Sequence, residues 1–209
     1  YMKAMVAAGY VHGRTQGLVP QANITRAEFA QLYFNIIQSY ITKNGSYTKG
    51  YKGNLLVRTK DVELKDMSID GDLIIGCGAA DGKIMLSNVK ISGRFVVWGG
   101  GTAAVYCSNG TTAAEVIACR IDGPVKVIFD RESTLLVYDK IKTRITERAG
   151  KFPETEIVFY AMDDLLNAQR DLNKMVDENL IQAEIPAHLY ALVGEQTVSA
   201  VLKNNSKTD

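Results

Sequence analysis

Val62-Glu-Leu-Lys-Asp-Met-Ser-Ile-Asp-Gly-Asp-Leu-Ile-Ile75 is followed, 22 residues further on, by Ile84-Met-Leu-Ser-Asn-Val-Lys-Ile-Ser-Gly-Arg-Phe-Val-Val97. In this alignment Leu64 corresponds to Leu86, and Gly71 corresponds to Gly93. Apolar and polar residues alternate within each copy, which is typical of β-strands. A fixed period of about 20 residues is typical of stacked repeats, in which each unit buries its apolar side chains against its neighbours.

The shared glycine predicts a tight bend between two short strands in each unit. A third copy fits at a longer spacing, with Val116 aligned to Leu86, if eight extra residues lie in a loop around residues 107–112. Its members are Val116, Cys119, Ile121, Gly123, Val125 and Val127. Residues 54–57 and 135–137 are predicted to add partial units before and after the repeat.

The predicted fold is mainly β with helical ends. It is a short parallel β-helix or related solenoid, flanked by an N-terminal helix-loop-helix and by C-terminal helices. An antiparallel β-sandwich with similar hairpins is the alternative, and the constant spacing with its shared glycine favours the solenoid. The predicted boundaries are 1–42 for a helical module, 43–53 for a linker, 54–150 for the solenoid and 151–209 for a helical cap and tail.

The composition limits the possible partners. The chain has 209 residues, of which 24 are basic and 23 acidic. This balance argues against a nucleic acid or an anionic membrane as the main partner. No apolar run reaches the roughly 18 residues that a membrane span needs. Because the chain begins with Tyr1 and not Met, we expect it to be a piece of a longer protein.

Three cysteines do not form a recognisable motif. Cys77, Cys107 and Cys119 are far apart and include no C-x-x-C pair, which argues against a zinc site. We interpret them as small apolar residues buried in strands. A Cys107–Cys119 disulfide that closes the inserted loop is the alternative.

The N-terminal part, residues 1–40, is predicted to form two helices joined by a glycine loop. Gly9 stands where a helix C-cap is expected after Met2, Met5 and Val6, and Gly13 and Gly17 mark the loop. Thr25 and Glu28 have the spacing of a capping box, so a second helix begins after Thr25. The apolar face of this helix is predicted to contain Phe29, Leu32, Tyr33, Ile36, Ile37 and Tyr40.

Two runs in this region, Ala7-Ala-Gly-Tyr-Val-His-Gly13 and Ile24-Thr-Arg-Ala-Glu-Phe-Ala30, resemble the second half of an S-layer homology module. The resemblance covers about residues 1–37, and the Phe-x-Asp and Trp-Ala signals of the first half are absent. Such modules anchor proteins to the envelope of Gram-positive-type bacteria by binding pyruvylated secondary cell-wall polysaccharide. The resemblance therefore implies an extracellular protein at the bacterial cell surface.

In this family the arginine of the motif contacts the ligand, which places that role on Arg26. The resemblance also assigns Gly13 and Thr25 to the ligand site. A position in the first turn of a helix agrees with this role, because the free backbone N–H groups there favour an anion. An arginine fork suits a carboxylate such as a pyruvyl ketal. His12 and Arg14 could line the same pocket.

Acidic residues of the repeat raise the alternative of an enzyme. Asp70 and Asp72 flank Gly71 and are predicted to point outward, as in polysaccharide-cleaving β-helices. A structural pair between Asp72 and Arg94 of the next unit is the simpler interpretation. Catalytic carboxylates need a partner about 5–10 Å away, and no second acidic unit provides one. We therefore predict no catalytic residue, no metal site and no cofactor.

Composition and apolar spacing also predict the structure of the segments on either side of the repeat. Residues 43–53 are polar and glycine-rich, so we predict a solvated linker, although its Lys and Tyr side chains could contact sugar. Apolar spacing predicts one helix from about Glu156 and a second over residues 185–202, with His188 as a packing or surface residue. Residues from Asn204 onward are predicted to be a polar tail.

Together these features predict a non-enzymatic structural protein of the cell surface. It would be anchored through S-layer-homology-type material, or self-assemble into an array or a filament. The alternative is a carbohydrate-binding or polysaccharide-cleaving β-helix of the cell surface.

Overall fold

The chain forms four α-helices and fifteen strands in the part that the structure describes. This computed structural model describes residues 2–13, 17, 21–101, 103–120, 123–143, 155–160, 165–178, 182–183, 188–193 and 196–201. The helices are α1 (Met2–Ala7), α2 (Arg26–Ile36), α3 (Arg131–Val137) and α4 (Leu165–Asp177). The strands are β1 (Ser39–Ile41), β2 (Gly45–Tyr47), β3 (Tyr51–Lys52), β4 (Leu55–Val57), β5 (Val62–Asp70), β6 (Leu73–Ile75), β7 (Ile84–Val97), β8 (Val105–Ser108), β9 (Thr112–Ala118), β10 (Val125–Phe129), β11 (Ile141–Thr143), β12 (Thr155–Tyr160), β13 (Gln182–Ala183), β14 (His188–Val193) and β15 (Gln196–Val201).

The two copies of the repeat lie beside each other as parallel strands. Leu64 of β5 pairs with Leu86 of β7, and Ile69 pairs with Ile91. All of these side chains are buried. The predicted alignment of the two copies is therefore confirmed, residue for residue, in this region. The mainly β class is also confirmed, since strands predominate over helices in the described part of the chain and the sheet is mostly parallel.

The strands form three parallel rows, which we call together the β stack. The first row contains β2, β5, β7, β8, β10, β12 and β14. The second contains β3, β5, β7 and β9. The third contains β1, β4, β6, β7, β9, β11 and β13. Only β15 runs antiparallel to its neighbour, β14, among the described strands.

Two kinds of corner let one strand contribute to more than one row. Asp66 and Asn88 both have a φ near +50°, which turns the chain from the first row to the second, and the Asn88 Nδ2 donates to Asp66 Oδ1 at 2.9 Å. At the next corner the backbones of successive turns are in contact. A Cβ on Gly71 would lie 2.6 Å from the carbonyl carbon of Gly53, and one on Gly93 would lie 2.8 Å from that of Gly71. This close approach explains the glycine of the repeat.

The predicted register of the third copy is wrong. Cys107 pairs with Leu86 and Val116 pairs with Phe95, so the spacing is nearly that of the first two copies and no eight-residue insertion is present. Residues 107–112 belong to β8, a short turn and the start of β9. The error arose because the third copy has no glycine at the marked corner and carries small residues such as Ala113 and Ala118 at core positions.

Residues 43–53 are part of the β stack, so the prediction of a linker is wrong. Strands β2 and β3 lie within this segment, and both pair with β5. Tyr47 and Tyr51 pack against the core. Within the predicted partial unit at residues 54–57, residues 55–57 form β4, which confirms a strand before the repeat. The tertiary pairing with β5 orders a segment whose glycines and polar residues, taken alone, favour a loop.

Helices interrupt the second row towards the C-terminus. Residues 135–137, predicted as a partial β unit, belong to α3. This helix takes the place of a strand in the second row, since the backbone N–H of Thr111 donates to the Ser133 hydroxyl at 3.1 Å. Asp130 caps α3 by accepting from the Ser133 N–H at 2.8 Å. That N-cap spacing, and not the apolar run, decides the local structure.

The C-terminal part is only partly helical. The predicted helix from Glu156 begins at Leu165, since residues 155–160 form β12. The predicted second helix is wrong: His188–Val193 and Gln196–Val201 form an antiparallel hairpin. Helix α4 packs against both strands of this hairpin. The tail from residue 202, and Arg14 of the N-terminal loop, lie outside the described residues.

The interior of the β stack is one apolar cluster that extends over all three rows. Its largest fully buried side chains include Phe95, Phe129 and Phe159. The three cysteines do not form disulfides, and they differ in environment: Cys107 is buried, Cys119 is half-buried and Cys77 is exposed. The prediction of buried thiols therefore holds for Cys107 and is wrong for Cys77.

Candidate functional site

Helix α2 begins with the predicted capping box. The Glu28 backbone N–H donates to the Thr25 side-chain oxygen at 3.2 Å, and the Thr25 N–H donates to the Glu28 carboxylate at 2.8 Å. Thr25 is in an extended conformation, as an N-cap residue should be. The prediction is confirmed, and the box fixes Arg26 as the first residue of the helix.

The chain reverses direction after α1 at Gly9. Gly9 has a φ of +70°, and its N–H donates to the Val6 carbonyl at 2.9 Å. The Tyr10 N–H donates to the Met5 carbonyl at 2.9 Å. This is the predicted C-cap, and it directs residues 10–13 towards α2. The Asn35 side chain then holds the loop to the helix, since its Nδ2 donates to the Tyr10 carbonyl at 3.1 Å.

A groove of about 440 Å³ lies between α1, the loop and α2. Its described lining is apolar on both sides and carries a few amide and ring groups. The lining residues are Met2, Met5, Tyr10, Val11, His12, Gly13, Gly17, Ala22, Ile24, Glu28, Gln31, Leu32 and Asn35. A concave apolar surface with a few polar groups is the usual form of a small-ligand site.

The predicted ligand residues do not all lie in this groove. Gly13 lines it, and so does His12. Thr25 is occupied as the N-cap of α2. Arg26 is exposed on the surface of α2 and is absent from the described lining. The structure therefore separates an apolar groove from the cation that the sequence assigns to an acidic ligand.

The charges near the start of α2 also separate the groove from the cation Arg26. The described lining contains no Lys or Arg, and its one carboxylate belongs to Glu28. That carboxylate already lies against the backbone N–H of Thr25, so it offsets the positive end of the helix. Arg26 is therefore an exposed cation beside the groove, at the first position of α2.

Three polar residues of the groove were missed by the sequence analysis. Tyr10 supplies a backbone carbonyl, and Gln31 donates to the Asn35 Oδ1 at 2.8 Å. The signal was present: Glu28, Gln31, Leu32 and Asn35 recur at helical spacing on one face of α2. The prediction for α2 considered only the apolar residues on the neighbouring face.

Asn54 joins the helical region to the β stack. It is 9% exposed, and its Nδ2 donates to the Ile36 carbonyl at 2.7 Å. Its Oδ1 accepts from the Asp72 N–H at 2.8 Å, and its own N–H donates to Gln38 Oε1 at 2.7 Å. Ile36 and Ile37 pack beside Ile74 on the outer side of the third row. The end of α2 is therefore held to the stack by both polar and apolar contacts.

Several acidic residues in and beside the repeat form ion pairs or hydrogen bonds with residues of the next turns. Arg94 lies 2.6 Å from the Asp72 carboxylate, which confirms the predicted structural pair. This hydrogen bond raises the pKa of Arg94, against the opposite effect of its burial. Arg120 reaches Asp81 at 2.8 Å, across the turn that contains Gly101. Asp70 is near the Ser92 hydroxyl at 3.5 Å. These contacts fit a structural role for the carboxylates.

The family model of the S-layer homology domain matches residues 1–30. The chain carries a partial S-layer homology module. The match includes α1, the loop and the capping box of α2, and it ends before Gln31 and Asn35 of the groove. It confirms the predicted resemblance on about one seventh of the chain.

S-layer homology domains are characteristic of cell-surface proteins anchored to the cell wall, and they bind secondary cell-wall polysaccharides. The predicted cell-surface location is confirmed on this basis. Comparisons with curated proteins and with solved structures found no match. Among the described residues, no helix has the length and apolar character of a membrane span.

Proposed function

We propose that this chain is a non-enzymatic structural protein of the bacterial cell surface, in which a short β-solenoid is held to the cell wall through the S-layer homology part. The observation that carries the proposal is the contact between the two regions. The match at residues 1–30 ends within α2, and α2 is bonded through Asn54 to a stack of parallel strands. A stack with a regular spacing suits a scaffold, because each turn adds length without a new core.

The three rows support the solenoid architecture. Successive turns place buried apolar residues beside one another, as in Leu64, Leu86 and Cys107 along the first row. Their side chains point into a single interior. Of the two carboxylates that could serve a glycan-cleaving site, Asp72 is paired with Arg94 and Asp70 lies near the Ser92 hydroxyl, which supports a structural role.

The anchoring role predicts retention on cell-wall polysaccharide. We expect the purified chain to be retained on the immobilised secondary polymer, and the Arg26→Ala variant to be retained less, because the loss removes the exposed cation of α2. Arg170→Ala is the matched control, since Arg170 is an exposed arginine of α4. Equal retention of all three proteins would show that Arg26 does not contribute to binding of the polymer.

The non-enzymatic role is tested on the same material. Incubation of the chain with the cell-wall polysaccharide should release no new reducing ends over many hours. Release of oligosaccharides that depends on Asp70 or Asp72 would favour the polysaccharide-cleaving alternative.

The proposal includes self-assembly of anchored stacks into an array. An apolar cluster on the outer side of the first row supports lateral contact, since Tyr106, Tyr190 and Leu192 are half-exposed there. Negative-stain microscopy should show ordered polymers of the wild type, and Tyr106→Lys with Tyr190→Lys should disperse them. A wild type that sediments only as monomers contradicts this part of the proposal.

A further inference from the structure

The first turn of the β stack is strongly basic. From Phe29 to Lys60 the sequence has no Asp or Glu, and it has five basic residues: Lys43, Lys49, Lys52, Arg58 and Lys60. The next segment, 61–72, contains five acidic residues. A chain with a net charge of +1 therefore concentrates positive charge in one turn.

Three of these lysines surround the N-terminal end of the stack. Lys43 precedes β2, Lys49 lies between β2 and β3, and Lys52 ends β3. All three are exposed. Because β2 and β3 each pair only with β5 in the described part of the chain, their other edges face away from the stack. In the described part of the chain, this end therefore offers unpaired strand edges beside three exposed lysines.

Two tyrosines close the interior at this end. Tyr47 pairs with the buried Leu64, and Tyr51 pairs with the buried Ile69, so both rings stand at the end of inward-facing rows. Both are half-exposed. The Tyr47 hydroxyl donates to the Lys43 carbonyl at 2.8 Å. Burial is the main cause that raises the pKa of Tyr51, and the nearby Tyr47 raises it further.

We infer that this end of the stack binds an extended acidic polysaccharide, with Lys43, Lys49 and Lys52 at its carboxylates and Tyr47 and Tyr51 against its sugar rings. Lysines attract the acid groups as point charges. The tyrosines provide an apolar face with a polar tip, which suits a sugar ring. The site goes beyond the proposed function, because it lies outside the S-layer homology match and uses none of its residues.

Other polymers fit this end less well. The five acidic residues of 61–72 confine the basic surface to one turn, whereas a nucleic acid needs a longer basic track. A strand from another protein could pair with β2 or β3, but exposed lysines on a short edge strand oppose such pairing. An acidic glycan needs only a few charges and tolerates solvent on its other side.

Calorimetric titration with polygalacturonate tests the inference, with dextran as the neutral control. We expect polygalacturonate to bind, to bind more weakly as salt is raised, and dextran not to bind. The triple variant Lys43→Gln, Lys49→Gln and Lys52→Gln should bind roughly tenfold more weakly, since three exposed charge pairs are lost. The matched control is Lys65→Gln, Lys83→Gln and Lys90→Gln, which removes three exposed lysines from the next turns. It should bind as the wild type does.

Several results would overturn the inference. These are no binding of polygalacturonate by the wild type, an equal loss in both triple variants, or tighter binding of a single-stranded oligonucleotide. If the first triple variant self-associates and the wild type does not bind polygalacturonate, the lysines serve only to prevent other strands from pairing with β2 or β3. The outcome for Arg26→Ala on cell-wall polymer is independent of all these results, so this site and the anchoring role fail separately.

Discussion

The N-terminal helices and the β stack contain the same kinds of apolar residue, but they bury them to very different extents. Phe29 on α2 is 57% exposed, whereas Phe95 in β7 is 1% exposed. Neither α1 nor α2 contains a buried residue. An apolar face on a helix needs a separate partner, whereas a strand of the stack finds its partner in the next copy of itself. Repetition therefore provides a core for strands β1 to β11 that amphipathic spacing alone does not provide for helices α1 and α2.

The largest expected effect comes from truncating one phenylalanine in each region. Phe95→Ala should lower the free energy of unfolding by about 3–5 kcal/mol, because it leaves a cavity in the packed interior. Phe29→Ala should lower it by about 0.5 kcal/mol or less, since the ring is mostly in water. Urea unfolding followed by circular dichroism measures both. Similar losses for the two variants would mean that α2 packs as tightly as the stack.

The joint between the two regions gives the next largest effect. Asn54→Ala should lower the free energy of unfolding by about 1–3 kcal/mol, because the Ile36 carbonyl and the Asp72 N–H lose their partner in a buried place. It should also speed hydrogen exchange in α2 while strands β5 and β7 stay protected. Asn44→Ala is the matched control, since Asn44 is exposed. Unchanged exchange in α2 would show that the apolar contacts of Ile36 and Ile37 suffice.

The pH dependence of the free energy of unfolding tests whether the interior of the β stack excludes water around Cys107. Burial is the main cause that raises the pKa of the Cys107 thiol far above its ordinary value of 9.0. The nearby Asp130 charge raises it further. In the unfolded chain the thiol ionises near its ordinary pKa, while in the folded chain it keeps its proton. Above pH 9 the unfolded state therefore binds fewer protons, and stability should fall by about 1.4 kcal/mol per pH unit from this group.

Cys107→Val should remove that part of the pH dependence, and Cys77→Ala should retain it because Cys77 is exposed. Denaturant titrations at pH 8, 9 and 10 measure the slope. The same contrast predicts that a thiol reagent labels Cys77 rapidly and labels Cys107 only on unfolding. Rapid labelling of Cys107 in the native protein would show that the interior at β8 is open to solvent.

The candidate site shows where sequence reasoning was sufficient and where it was not. The capping box and the Gly9 turn were predicted because each depends on residues within four positions of one another. The position of Asn35 on one face with Glu28 and Gln31 follows from helical spacing, whereas its hydrogen bond to Tyr10, 25 residues away, has no local signal in the sequence. The position of Arg26 outside the groove is likewise a matter of which face of α2 meets the loop.

By itself the sequence determined the alignment of Leu64 with Leu86, the strand character of residues 62–97 and the start of α2. These features follow from side-chain alternation, a repeated glycine and a local cap. The tertiary structure alone decided the register of the third unit, the order of residues 43–53 and the hairpin at residues 188–201. In each of these cases a neighbouring strand supplies the backbone hydrogen bonds, and its contribution exceeds the weak local preference of the segment.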